Sequence, residues 1–286
     1  MIRWTAHAVL VLVGLAAPPG PAEAACLGDA EVAALMAQYM DKQPAPNLEG
    51  LSLADGECTR AKMNRLLEQA LGKPVGYKVG LTNPAVQKRF NHASPVWGRL
   101  YAPMLLADDV AIDAAFGARP LFEADLLVRV GDPRINAART PREVLDAIDQ
   151  VIPFIELPDL VVESPAKLDG AAITALNVGA RLGVVGRPVQ VQRTTEFSNH
   201  LRDMQVVVSG DGVELDRGKG SDVLEHPLNA VVWLVQELAR EGKALKKGDL
   251  VSLGSFSKLL PPASGLAVVV RYEGLPGTPV VKVNFK

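Results

Sequence analysis

Three acids set in apolar runs are the first feature with chemical consequence. Residues 120–130 read Pro-Leu-Phe-Glu-Ala-Asp-Leu-Leu-Val-Arg-Val, and residues 151–157 read Val-Ile-Pro-Phe-Ile-Glu-Leu. As a strand, the first run puts Leu121, Glu123, Asp125 and Leu127 on one face and Phe122, Ala124, Leu126 and Val128 on the other. Ionised carboxylates on an apolar face need cations, protons or water, because burial without partners is strongly unfavourable. Glu156 is a third acid of the same kind. Three carboxylates on two buried strands are the donor set of a hard cation such as Mg²⁺, which takes oxygen ligands and keeps positions open for water or substrate. The alternative is an edge strand whose acids face water beside Arg119 or Arg129.

Two further stretches carry candidate chemistry. Lys78 lies in the apolar, glycine-flanked run Gly76-Tyr-Lys-Val-Gly-Leu-Thr82. A desolvated Lys can move protons, whereas a snorkelling Lys or a counter-ion to an acid would be structural. The run Arg217-Gly-Lys-Gly-Ser-Asp222 precedes His226-Pro-Leu-Asn-Ala230. Gly218 and Gly220 allow a tight turn there, so Gly220, Ser221 and the start of the following helix are candidates for holding a substrate carboxylate. A plain capped loop explains the same residues. The spacing is that of neither a Walker loop nor a dinucleotide fingerprint.

These residues must be positioned by a fold of mixed elements. Helical spacing marks 29–42 and 59–71, and two more helices run from Thr140-Pro141 to about Gln150 and from His226-Pro227 to Gly242. Strand-like runs fall at 76–81, 120–130, 151–157, 179–186, 204–209, 249–253, 266–273 and 279–285. Strands outnumber the helices between them, so a regular βαβ array is excluded. The expected class is α+β, a helical N-terminal region (25–75) on a large mixed, partly closed sheet (76–286).

The first 24 residues have the form of a secretory leader: Arg3, a short apolar run from Ala8 to Ala17, and Ala22-Glu23-Ala24 as cleavage site. A periplasmic or secreted mature chain follows, and an uncleaved anchor is the alternative. Beyond the leader no stretch is long and apolar enough to span a bilayer. A net charge of −2 with no Lys/Arg cluster argues against nucleic acid. Cys26 and Cys58 could pair in an oxidising compartment or remain two thiols, and two cysteines make no zinc cluster.

Taken in order, six segments resemble the 2-keto-4-pentenoate hydratase family of the fumarylacetoacetate hydrolase superfamily. They are GYKVGLTNPAVQ (76–87), PVWGRLYAPM (95–104), the Glu-x-Asp strand (123–125), PFIE (153–156), RGKGSDVLEHPLNAVVWL (217–234) and GDLVSLGSF (248–256). The resemblance implies a fumarylacetoacetase C-terminal-like fold and Mg²⁺ or Mn²⁺ on Glu123, Asp125 and Glu156. It further implies Lys78 as the proton shuttle, and Ser255 and Phe256 facing a small 2-oxo or 2-hydroxy-dienoic acid. The implied activity is hydration of a 2-hydroxy-dienoate to a 4-hydroxy-2-oxo acid, in a homo-oligomer of the kind used in aromatic catabolism. Two departures stand out. Asp125 replaces the more usual second Glu, and Val96 stands where many hydratases carry an acid. Val96 keeps open a decarboxylase or C–C hydrolase, for which His92 is a candidate base, and an exported oxo-acid-binding protein without catalysis.

Overall fold

The N-terminal helices begin where side chains satisfy their first amides. α1 (Asp29–Met40) follows Gly28, and α2 (Leu53–Leu71) is opened by a capping box in which Asp55 N–H donates to Ser52 Oγ at 3.2 Å and Ser52 N–H to Asp55 Oδ2 at 2.8 Å. α2 therefore starts six residues before the helical spacing at 59–71 suggested, and tolerates Gly56. A Cβ there would lie 2.4 Å from the Ala171 carbonyl, so that glycine is what lets α5 (Gly170–Ala175) pack against α2. Cys26 and Cys58 are disulfide-bonded, which ties the segment just before α1 to α2.

This computed structural model describes residues 26–286 and Met1; the leader and its cleavage site near Ala24 lie outside the described residues. The remaining helices are α3 (Pro84–Arg89), α4 (Pro141–Ala147), α6 (Thr195–Asp203) and α7 (Asn229–Arg240). Strands in the first half are β1 (Pro74–Gly80), β2 (Val96–Tyr101), β3 (Leu105–Ala107), β4 (Val110–Ile112), β5 (Glu123–Val130) and β6 (Ile148–Leu157). The second half adds β7 (Leu182–Val185), β8 (Val189–Gln190), β9 (Gln205–Gly210), β10 (Val213–Lys219), β11 (Leu250–Ser252), β12 (Ala267–Glu273) and β13 (Val280–Phe285). Among the described residues no helix is long and apolar enough to cross a membrane.

The α+β class holds, with the strands divided between two sheets. A mixed eight-stranded sheet runs β2-β1-β11-β5-β6-β7-β3, with β8 paired to β6, and a five-stranded sheet runs β10-β9-β12-β13-β4. The alternation expected of β5 is observed. Phe122, Ala124, Leu126 and Val128 join a core with β9, β12, α4 and α7. Leu127, with Ile152 and Phe154 of β6, faces a second core built from α1, α2 and α5. Each fully buried Val, Leu or Phe in these layers contributes roughly 1.5–3 kcal/mol. Tyr272 of β12 ties the sheets together, its buried hydroxyl accepting from Phe154 N–H at 3.1 Å and reaching the Asp125 carbonyl.

Two expectations are corrected. The helix from Thr140 stops at Ala147, because residues from Ile148 onward are taken into the ladder with β5 and then β8. The stretch expected to turn at Gly218 and Gly220 is mostly strand β10, paired with β9. Its glycines serve close approach: a Cβ on Gly218 would lie 1.8 Å from the Phe256 carbonyl, and one on Gly220 1.9 Å from that of Leu201.

Candidate active site

Register decides which side chains meet. Lys78 on β1 pairs with Ser252 on β11, Ser252 with Leu127 on β5, and Glu123 with Glu156 on β6. Directly paired residues share a face, so Lys78, Ser252, Glu123, Asp125 and Glu156 all project to the side carrying the N-terminal helices. β1 and β6 are three strand spacings apart, roughly 14 Å in a flat sheet. Lys78 nevertheless forms an ion pair with Glu156, which requires the sheet to curl. Lys78, Asp125 and Glu156 are all at most 3% exposed, and Glu123 is 9% exposed.

The cluster has one ammonium against three carboxylates, a formal charge of −3 + 1 = −2 if all are ionised. Lys78 Nζ donates to Glu156 Oε1 and, at 2.9 Å, to the Val178 carbonyl. Among the described residues, Glu156 Oε2 has no hydrogen-bond donor. Burial first, then repulsion from Glu156, holds the Glu123 carboxyl well above the usual carboxylate range, with Lys78 opposing. The same two causes push Asp125 up to about 7, against the lowering effect of the Ser252 hydroxyl.

Asp125 differs from the two glutamates in its partners. Its Oδ1 accepts from Leu253 N–H at 3.1 Å, Gly254 N–H at 3.0 Å and Leu126 N–H at 2.5 Å, while Oδ2 accepts from the Ser252 hydroxyl. Turning this carboxylate elsewhere would strand the Gly254 amide and Ser252 hydroxyl, at about 1–3 kcal/mol each. Gly254 is required where the chain leaves β11: its φ is +99°, and a Cβ would lie 2.1 Å from Thr82 Oγ1.

Lys78 and Glu123 line a cavity of about 340 Å³, and Glu156 stands behind them, paired with both. Its walls include Leu81, Phe90, Leu160, Ile173 and Val178; Thr82, Ser255 and Ser257 add polar atoms, and Arg89 and Lys258 add positive charge. A donor set with an orphaned buried oxygen and excess negative charge suits a divalent cation. Glu123 and Glu156, with Asp125 on the same face, are the residues that would hold it. Among the described residues, no three acidic, histidine or cysteine side chains converge as a ready ligand shell.

The structure separates the other candidates. Ser255 lines the cavity, its hydroxyl donating to the Ser257 carbonyl at 2.6 Å. Phe256 does not face it: its amide donates to the Ala124 carbonyl at 2.9 Å and its ring lies in the opposite core. Gly220 is packed under Leu201, and Ser221 lines a different hollow beside Trp233, because β10 carries them away from the acids. His92 is likewise outside the cavity, hydrogen-bonded to Ser94 Oγ at 3.0 Å. Val96 is buried at the start of β2 and does not line the cavity.

One group was missed. Asn177, Val178 and Gly179 have φ of 52°, 57° and 67°, a left-handed run that presents the Val178 carbonyl to Lys78. For a β-branched residue this costs on the order of 1–3 kcal/mol. Asn177 holds the run in place: its Oδ1 accepts from Arg99 N–H at 2.7 Å and its Nδ2 donates to the Arg99 carbonyl at 3.0 Å. Gly98 permits this approach, since a Cβ would lie 2.4 Å from the Asn177 carbonyl. Asn-x-Gly is a left-handed signal that could have been noticed.

No model of a known protein family matches the chain. Individual proteins do. The 2-keto-4-pentenoate hydratase 2 of Dechloromonas aromatica (strain RCB) is 30% identical over 251 residues, covering 86% of this chain and 94% of that protein. The 4-oxalocrotonate decarboxylase of Pseudomonas putida is 28% identical over 225 residues, 79% of this chain and 83% of that one. Among solved structures, 4-oxalocrotonate decarboxylase from Pseudomonas putida G7, complexed with magnesium and adipate, superposes with a TM-score of 0.80 at 26% identity, covering 91% and 99% of the two chains. The chain belongs to the 2-keto-4-pentenoate hydratase family, within the fumarylacetoacetate hydrolase superfamily.

Proposed function

We propose that this chain is a divalent-metal-dependent hydro-lyase that adds water to a 2-hydroxy-dienoate of the 2-keto-4-pentenoate type, giving a 4-hydroxy-2-oxo acid. The observation that carries this reading is the buried Lys78–Glu156 pair, with its orphaned Oε2, beside Glu123 at the floor of an apolar cavity. When bound, Mg²⁺ or Mn²⁺ supplies Lewis acidity toward the 2-oxygen and carboxylate of the substrate. Glu123 and Glu156, with Asp125 on the same face, would hold the ion. Lys78, fixed by Glu156 and the Val178 carbonyl, moves the proton between the enol oxygen and carbon. Leu81, Phe90 and Leu160 exclude bulk water, and Arg89 and Lys258 attract an anionic substrate.

The test is loss of dienoate ultraviolet absorbance by the purified mature protein, with and without a chelator. Turnover that persists in full after metal removal would sink the reading. A decarboxylase is the second reading, favoured by valine at position 96 and by the fold shared with the decarboxylase above. Stoichiometric CO₂ from an oxo diacid, without a hydrated product, would establish it instead. We also infer export, supported by the leader-like sequence and the Cys26–Cys58 disulfide. Cell fractionation and an N-terminus at Ala25 test this. Homo-oligomerisation is carried over from the family, and sedimentation reads it directly.

A further inference from the structure

Hydration needs a water molecule held beside the substrate within apolar walls. Among the described residues lining the cavity, Glu123 is the one acid, it belongs to the carboxylate cluster, and no histidine is present. The neutral polar side chains there are Thr82, Asn83, Ser255 and Ser257, and three of them are committed within the wall. Asn83 Oδ1 accepts from Ala85 N–H at 2.8 Å, and its Nδ2 donates to the Asp222 carbonyl at 3.3 Å. The Ser255 hydroxyl donates to the Ser257 carbonyl and accepts from Ser257 N–H at 3.1 Å. The Ser257 hydroxyl donates to the Lys258 carbonyl at 3.2 Å and accepts from Ala124 N–H at 2.9 Å. Thr82 differs. It is 2% exposed and lines the cavity, yet among the described residues its hydroxyl has no hydrogen-bond partner. A buried hydroxyl is unfavourable without a partner, and an ordered water can serve as one. Its backbone is fixed, because the Thr82 carbonyl accepts from Leu224 N–H at 3.1 Å. Gly254 lines the same cavity, and a Cβ there would lie 2.1 Å from Thr82 Oγ1, so glycine leaves this hydroxyl uncovered.

Resting on the hydratase reading above, we propose that the Thr82 hydroxyl holds the water that is added to the substrate. Ketonisation by Lys78 moves the enol proton to the terminal carbon of the diene and leaves a C3–C4 double bond conjugated to the 2-oxo group. Thr82 Oγ1 accepts one O–H of the water, which turns a water lone pair toward C4. The water oxygen then bonds to C4, and the π pair moves toward C3 and the 2-oxygen. The proton that the water loses balances the one that Lys78 delivers to C3, so one molecule of water is gained and nothing is oxidised or reduced. Thr82 itself exchanges no proton with carbon; its part is to place the nucleophile.

Thr82→Val keeps the branched shape and removes the hydroxyl, whereas Thr82→Ser keeps the hydroxyl. With the full mature protein, Mn²⁺ and 2-hydroxypenta-2,4-dienoate, loss of dienoate absorbance reads ketonisation, and chromatography reads the hydrated product. Thr82→Val should consume dienoate near the wild-type rate, release the unhydrated 2-oxo-3-enoate, and form hydrated product about tenfold or more slowly, the scale of one hydrogen bond lost from the attacking water. Thr82→Ser should form hydrated product near the wild-type rate. A folded Thr82→Val protein that hydrates as fast as wild type overturns the proposal, and so does an equal loss of both steps. A wild-type crystal structure with Mn²⁺ and unreactive 2-oxopentanoate bound gives a measurement that stands even if the valine variant fails to fold. It should show a water within about 3.2 Å of Thr82 Oγ1, and the absence of one there overturns the assignment. Wild-type protein that forms no hydrated product defeats the hydratase reading itself, whereas hydration indifferent to Thr82 defeats only this role.

Discussion

Replacing Lys78 by Met keeps the apolar stem and removes the ammonium, and the structure fixes the expected cost. Among the described residues, Lys78 is the one hydrogen-bond donor to Glu156 Oε1, and Oε2 has none. The Lys78→Met variant therefore leaves a fully buried carboxylate alone, which costs about 3–5 kcal/mol when one partner of a buried pair is removed. For a chain of this size, 1 kcal/mol moves Tm by roughly 2–4 °C, so the metal-free variant should melt roughly 6–20 °C below wild type. Turnover should fall by about 10²-fold or more, the scale of a general acid–base group, or at least about 2.7 kcal/mol on the barrier. The double variant Lys78→Met, Glu156→Gln separates the two roles. It replaces the pair by neutral groups and should recover most of the lost Tm while remaining inactive. Thermal melting by circular dichroism and dienoate absorbance read both quantities. A Lys78→Met protein that melts with wild type, or a double variant that regains turnover, would refute the assignment of Lys78 to both tasks.

Gly98→Ala should lower stability by about 1–3 kcal/mol, because its Cβ cannot coexist with the Asn177 carbonyl at 2.4 Å, and should reduce kcat by displacing the Val178 carbonyl from Lys78. Unchanged kcat in folded protein would remove the left-handed run from the mechanism. Serine at both Cys26 and Cys58 should cost roughly 3–4 kcal/mol by the loop-entropy estimate for their separation of 32 residues, read as a lower Tm that matches reduced wild type. His226 accepts from Leu228 N–H at Nδ1 and lies 3.1 Å from the Ser198 carbonyl at Nε2; burial holds its pKa below 6.5. The unfolded chain then binds the proton more readily, so this contribution is complete above about pH 6.5 and is lost as pH falls toward the folded value. His226→Asn keeps an acceptor for Leu228 and should show a shallower Tm decline between pH 7 and 5; an identical slope would contradict this.

The features legible in the sequence are those with local periodicity or local chemistry. The alternation of Glu123, Asp125 and Leu127 against Ala124 and Leu126 announced a strand with two buried faces, and the cores show that division. Gly242, with φ +66°, follows α7 as the C-cap signal indicated. α5 was not legible because all six of its residues are buried, leaving no polar face to set a period. α3 is a single turn and a half whose signals are a cap, Asn83, and Pro84. β3, β4 and β8 are two or three residues long, below the length at which alternation can be recognised. At the site, the sequence placed the acids on one face. It could not show that Asp125 accepts from the Leu253 and Gly254 amides just beyond β11, because that depends on residues more than 120 positions apart.

The floor and the mouth of the cavity are built by different means, and this bears on which part of the function each controls. Lys78, Glu123 and Glu156 come from strands of one sheet, where the ladders fix the backbone from which each side chain projects. The mouth is formed by the short α3 and by residues 254–259, with Arg89 exposed and Lys258 held loosely by Asp216 at 3.6 Å. The Arg89 guanidinium lies 5.5 Å from the ring of buried Phe90, whereas Lys258 is exposed, so Lys258 is the cation that can be replaced at small structural cost. Val96 is buried outside this cavity and lines a separate hollow with Arg60, Ser94 and Trp97. The acids and Lys78 are thus placed by sheet register, and the mouth of the cavity by α3 and residues 254–259.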